Sequence, residues 1–188
     1  MTIPTSDPTR LAALNATRLL DSPAEEAFDR LTRLTTQLLG APVSLITLVT
    51  GEGQFFKSAR GVEEPWRSRR GTPLSHSFCR HVVDHDEPLI VTDAREHPLV
   101  RANPAIADLG VIAYAGVPLR TSDGHTLGTL CAIDDRPHAW AGEDIAALED
   151  LAAVAMAEIE ARRVVLAAAA ARDLIAVQHE LLSAAAAD

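Results

Sequence analysis

VIAYAGVPL (residues 111–119), TSDG (121–124) and HTLGTLCAID (125–134) are the stretch that decides the fold. Two apolar runs flank Asp123-Gly124, and Asp-Gly between apolar runs is the strongest short-range sign of a β-hairpin. A second run, Val43–Val49, is β-branched and leucine-rich and long enough for one central strand. Gly51-Glu52-Gly53 then turns the chain, and Gln54–Ser58 returns as its hairpin partner. Pro88–Asp93 is a further strand. Hairpin-joined strands give an antiparallel sheet.

Helices flank these strands. Asp7-Pro8 supplies a cap and a first turn for a helix running to about Leu20. Ser22-Pro23-Ala24-Glu25 reads as a capping box, and Phe28, Leu31, Leu34 and Leu38 follow at helical spacing to Gly40. A short helix fits Ser75–Asp84. Residues 59–74 read as a polar loop, and 97–110 as an irregular stretch with one helical turn after Pro104. From Gly142 the chain is helical nearly to its end. The fold class is α/β (α+β): a central antiparallel sheet of five to six strands, with N- and C-terminal helices on one face. The long irregular segments and the short helix are left to wall a pocket on the other. The division expected is an N-terminal helix (1–22), a sensor domain (23–160) and a C-terminal signalling or coiled-coil helix (161–188).

A helix over 142–187 is about 69 Å long, whereas a domain of ~140 residues is roughly 35–40 Å across. Ile145, Leu148, Leu151, Ala155 and Ile159 are placed to cover the sheet. Leu166, Leu174, Val177 and Leu181 need another partner or fray. Their spacing fits a coiled-coil seam with a stutter between 166 and 174, and a second copy of the chain is the simplest partner.

The 188 residues suit one domain, with 47% hydrophobic and 23% charged residues. The net charge of −9 repels phosphate backbones and disfavours nucleic acid. No apolar run approaches the ~18 residues of a membrane span. Met1-Thr2-Ile3-Pro4 has neither a basic nor an apolar region, so no signal peptide is expected. Two cysteines are too few for a disulfide framework, which points to reduced thiols and a cytoplasmic location.

Four stretches resemble the GAF family. They are Leu19–Asp29 (LLDSPAEEAFD), Gln54–Ser58 (QFFKS), Ser77-Phe78-Cys79 followed by His81, and Tyr114–Leu119 (YAGVPL) with Gly128–Asp134 (GTLCAID). The resemblance covers roughly residues 10–160. It is strongest to GAF domains at the N-terminus of bacterial sensor histidine kinases and diguanylate cyclases, so a two-component or related signalling context is implied. The family fold has a ligand pocket in front of the sheet. Ile112-Ala113 stand where the family often has Arg-Phe, and Thr50 where an Asp commonly follows the first strand. Arg80 separates Cys79 from His81, unlike the Cys-His pair of bilin-binding members. The residues that mark cyclic-nucleotide binders are not recognisable.

The resemblance makes Phe56, Cys79, Asp93, Asn103, Tyr114 and Cys131 the candidate ligand-binding residues. Cys79, early on its helix, is placed where the dipole lowers a thiol pKa, and Cys131 is its possible partner; both also suit small buried hydrophobes. Asp93 and Asn103 equally suit turn-forming roles. His81 and His85 have metal-compatible spacing but want a third ligand, so no metal site is assigned. Arg67, Arg69 and Arg70 beside Trp66 suit an anion or the neighbouring Glu63 and Glu64. No G-x-S-x-G, Walker, dinucleotide or H-E-x-x-H motif stands in the chain. The expectation is a non-catalytic sensory module for an unidentified small molecule, with no cofactor assigned. It dimerises and signals through its last helix to a fused or separate effector, with no nucleic acid or membrane as partner. A thiol-based redox sensor or reductase using Cys79 and Cys131, and a purely structural dimerisation module, are the alternatives.

Overall fold

The computed structural model describes residues 4–185. Six strands, β1 (Val43–Val49), β2 (Gly53–Arg60), β3 (Gly71–Pro73), β4 (Leu89–Val91), β5 (Ala113–Arg120) and β6 (Thr126–Asp134), form one sheet. Its order is β3-β2-β1-β6-β5-β4, with every neighbouring pair antiparallel. The two expected hairpins, β1–β2 and β5–β6, therefore supply the four central strands. Among the described residues six α-helices accompany them: α1 (Pro8–Ala16), α2 (Glu26–Leu39), α3 (Trp66–Arg69), α4 (Cys79–His85), α5 (Ala105–Leu109) and α6 (Gly142–Ala185).

Alternation along the strands splits the core in two. Ile46, Leu48, Ala115, Val117 and Leu130 face one way and pack with Leu14 of α1, Phe28 and Leu31 of α2, and Leu148, Ala155 and Ile159 of α6. Leu45, Val49, Tyr114 and Cys131 face the other way, where Phe78, Cys79, Val82 and Val83 cover them. The terminal helices thus share one face, while α4, α5 and the long connections share the other.

Several boundaries depart from expectation. α1 stops at Ala16, because Arg18 takes a left-handed conformation (φ 54°) and redirects the chain; Asp7 caps it as expected, accepting from the Thr9 and Arg10 amides. Ser22 does not cap α2, which starts at Glu26 with Glu25 as its extended cap residue, whose side chain makes no capping bond. The Ser22 hydroxyl instead donates to the Leu19 carbonyl and accepts from the Lys57 ammonium. Leu38 is 59% exposed; Thr32, Thr35 and Leu39 fill the buried face of α2 in its place. Gly40 does end α2 in the left-handed region. The stretch 59–74 contains α3 and the edge strand β3 rather than a loop alone, and the predicted short helix is a 3-10 turn (Leu74–His76) followed by α4.

α6 has 44 residues, about 66 Å at 1.5 Å per residue. Its first part packs as expected, with Ile159 the last fully buried residue. Leu174 (70% exposed) and Val177 (53% exposed) are left largely uncovered by the described residues. The Leu181 side chain, and residues 186–188, lie outside the described residues. No described helix is long and apolar enough to cross a membrane.

Candidate ligand pocket and its polar core

A cleft of about 470 Å³ opens on the face of the sheet covered by α4 and α5. Val43 and Leu45 of β1, Phe56 of β2 and Ile133 of β6 line it from the sheet, and Val62, Trp66, Leu109 and Val111 from the connections. Its volume lies in the range of small-molecule sites. Carboxylates stand at its rim: Glu63, Glu64, Asp108 and Asp135. Behind it lies a second space of only about 30 Å³, bounded by Gln54, Phe78, Cys79 and Tyr114. Leu45, Phe56, Leu109, Val111 and Ile133 border both spaces.

The structure gathers four of the six candidate residues. Phe56 stands between cleft and inner cavity, and Cys79 and Tyr114 wall the inner cavity. Cys131 lies next to them on β6, fully buried. The Tyr-Ala-Gly sequence has a steric reason. Side chains at 114 and 116 point to the same face, and a Cβ at Gly116 would overlap the Tyr114 phenol. The missing side chain lets the ring lie along the sheet and bring its hydroxyl to 3.3 Å from Cys79 Sγ, which accepts its hydrogen bond. Beside this pair the Thr47 and Thr129 hydroxyls bond each other at 2.9 Å, both fully buried. The result is a polar cluster of two thiols and three hydroxyls in an otherwise apolar layer.

Burial opposes ionisation of the Cys79 thiol. Hydrogen bonds from Cys131, Thr129, Thr47 and Tyr114 outweigh it and bring the thiol down to about 6. Burial and the neighbouring Cys79 push Cys131 well up, the opposite direction from Cys79. Burial, and then the adjacent cysteines, also push the Tyr114 phenol well up, so it stays a hydrogen-bond donor.

Asp93 and Asn103 stand apart from this group. Asp93 accepts from the Arg95 amide and guanidinium, an ion pair 2.6 Å long that holds it below the usual carboxylate range. Asn103 shapes the turn into α5 by accepting from the Ala105 amide at 2.9 Å, with its amide group toward the Ser77 carbonyl. The arginine cluster is also engaged locally. Arg67 pairs with Glu64, Arg69 lies over Trp66, and Arg70 donates to the Ser22 and Lys57 carbonyls while stacking on Phe55. His81 and His85 stack 6.5 Å apart, and no group of three metal-ligating side chains exists among the described residues.

Sequence reasoning missed two polar sites. Gln54 joins the Thr72 and Ser77 hydroxyls beside the inner cavity. Lys57, on the opposite face, has a side chain with no exposure at all. It donates at 2.7 Å to the Ser22 hydroxyl, the Pro23 carbonyl and the Glu25 carboxylate, over the Phe28 ring. The pairing of β1 with β2 slips at this point, since Ile46 faces Ser58 but Thr47 faces Phe56. Lys57 is the extra residue of a β-bulge, which turns it and Ser58 to the same side. Glu25 also binds Arg162 of α6. A lysine between a phenylalanine and a serine in a strand was the only signal in the sequence.

Residues 23–159 match the family model described as GAF domain. The chain is 32% identical over 162 residues to the cyclic di-GMP phosphodiesterase PA2567 of Pseudomonas aeruginosa. That alignment covers 85% of this chain and 27% of the relative, so the chain spans about a quarter of its length. Among solved structures, the GAF domain of a phosphoenolpyruvate-protein phosphotransferase from Coxiella burnetii superposes with a TM-score of 0.63 at 20% identity. It covers 82% of this chain and 95% of that one. The free methionine-R-sulfoxide reductase of Neisseria meningitidis superposes with a TM-score of 0.59 at 16% identity, covering 82% and 90%. These two show a shared fold.

Proposed function

The chain belongs to the GAF domain family, and from that premise we propose that it is a non-catalytic sensory module. It takes a small molecule in the outer cleft and passes the resulting change to α6. One observation carries this reading: Phe56, which lines the cleft, is followed in β2 by Lys57, which is bound through Glu25 to Arg162 of α6. A ligand that moves Phe56 acts on the bulge, and the bulge acts on the helix three residues beyond its last fully buried position, Ile159. Such a ligand shifts the helix only by as much as it prefers one of two arrangements.

Within this reading Phe56 touches the ligand, Cys79, Tyr114 and Cys131 form the floor behind it, and Asp93 and Asn103 shape the surrounding loops. The pairing of Glu64 with Arg67, Asp93 with Arg95 and Asp108 with His76 supports a binding role over a catalytic one. The two free, buried thiols agree with a cytoplasmic setting.

The output is assigned to residues 161–188, acting on a fused or separate effector as a parallel homodimer. Val164, Val165, Leu174 and Ile175 are all more than half exposed. A groove lined by Ala16, Val164, Leu166 and Ala170 offers a seat for the same helix of a second copy. Native mass spectrometry of protein purified without added ligand tests both halves. A dimer carrying extra non-covalent mass, lost when Val62→Trp fills the cleft, is the expected result. A bare monomer overturns the reading.

A further inference from the structure

We propose that Cys79 and Cys131 form a redox-responsive pair that hydrogen peroxide converts to a disulfide, a second input beside any ligand in the outer cleft. Cys79 opens α4, while Cys131 lies mid-strand in β6, opposite Leu45 on one side and Gly116 on the other. With no side chain at 116, the Tyr114 phenol reaches over to the Cys79 sulfur. Burying two thiols and three hydroxyls in an apolar layer is unfavourable unless they bond one another. Here the Tyr114 hydroxyl donates to Cys79 Sγ, the Thr47 and Thr129 hydroxyls bond each other, and Cys131 is buried in the same cluster.

The inner cavity beside Cys79 has a volume of about 30 Å³. That holds one or two water-sized molecules, which is the size of hydrogen peroxide and far below that of an organic ligand. Phe56 borders both this cavity and the open cleft, so a turn of its ring gives entry.

The chemistry balances with hydrogen peroxide as the only added reagent. Cys79 Sγ attacks one peroxide oxygen and the O–O bond breaks. The Cys79 proton ends on the leaving oxygen as water, and a sulfenic acid remains on Cys79. Cys131 Sγ then attacks the sulfenic sulfur, and its proton leaves with the hydroxyl as water. The two thiols lose two electrons and the hydrogen peroxide gains them. The new bond ties the first turn of α4 to the centre of the sheet. α4 also carries Asp84, which accepts from the Thr5 amide at 3.1 Å, so the bond reaches the N-terminal segment as well.

The test is hydrogen peroxide added to the folded, full-length chain, read by intact mass and non-reducing peptide mapping. Wild type is expected to lose the mass of two hydrogens and yield one peptide pair linked through Cys79 and Cys131. Cys131→Ser, or Cys131→Ala if serine unfolds the domain, is expected to stop at a sulfenic acid that dimedone traps on Cys79. Tyr114→Phe is expected to slow the reaction by about three- to tenfold through loss of a donor to the thiolate, with the thermal midpoint recorded alongside. Three results overturn the proposal: oxidation at Cys131 as fast in Cys79→Ser as in wild type, oxidation of Cys79 only after urea unfolds the chain, or a linkage between two molecules.

Discussion

Glu25→Gln is the perturbation that bears most on how the pocket strand is tied to α6. Lys57 is fully buried and holds three acceptors at 2.7 Å, of which Glu25 alone is charged. Removing one partner of a buried pair costs about 3–5 kcal/mol. Two features lower that figure here. Lys57 keeps Ser22 and Pro23, and the Glu25 side chain is 26% exposed, so water screens part of the attraction. The expected loss is about 2 kcal/mol, measured by urea unfolding at neutral pH. A cycle with Lys57→Met and the double variant isolates the pair, and a coupling of at least about 1 kcal/mol is expected.

The pH dependence carries a sign. Burial raises the Glu25 carboxyl, but Lys57 and Arg162 outweigh it, so its folded value lies below the ordinary 4.5. Its contribution is therefore complete above 4.5 and is lost as pH falls through the lower folded value. The wild-type and Glu25→Gln curves should converge in acid. A loss below about 0.5 kcal/mol, or strictly additive effects of Glu25→Gln and Lys57→Met, would refute the reasoning.

Gly116→Ala should destabilise the domain by about 1–3 kcal/mol, because the new methyl displaces the Tyr114 ring; adding Tyr114→Phe should not rescue it, since the ring carbons also stand in the way. Arg10→Met should cost about 3 kcal/mol in urea unfolding. That guanidinium, on a residue 3% exposed, donates to the carbonyls of Pro4, Thr5, Val49 and Thr126 and pins the N-terminal segment to the sheet. Replacing Leu174 and Val177 together by lysine should reduce the dimer fraction in sedimentation velocity while leaving the thermal midpoint unchanged, because both side chains lie clear of the domain.

The central sheet was legible in the sequence because two hairpins are local: Val43–Val49 was bounded to the residue, and Asp123-Gly124 marks the other turn. The edge strand β3 was not legible. Gly71-Thr72-Pro73 is too short for a pattern and exists only because β2 offers it an edge. Leu38 fitted a helical stripe, yet the true face is set by Thr32 and Thr35. Thr32 bonds the Ser58 hydroxyl, a contact 26 residues away that periodicity does not encode. The same limit governs the site. Phe56, Cys79, Tyr114 and Cys131 were named through their motifs, and alternation along the strands brings them to one face. Lys57 depends on a bulge, and its partner Glu25 reads in the sequence as part of a capping box because only the fold brings β2 against the start of α2.

The claim that the cleft speaks to α6 through Phe56, Lys57, Glu25 and Arg162 is tested most directly by hydrogen–deuterium exchange of α6. Val62→Trp, which fills the cleft from its rim, is compared with wild type, each with and without Glu25→Gln. Filling the cleft should change amide exchange around Ile159–Leu166 several-fold, and Glu25→Gln should abolish that change. Exchange that alters only at the residues lining the cleft, with α6 indifferent to Val62→Trp, would contradict it.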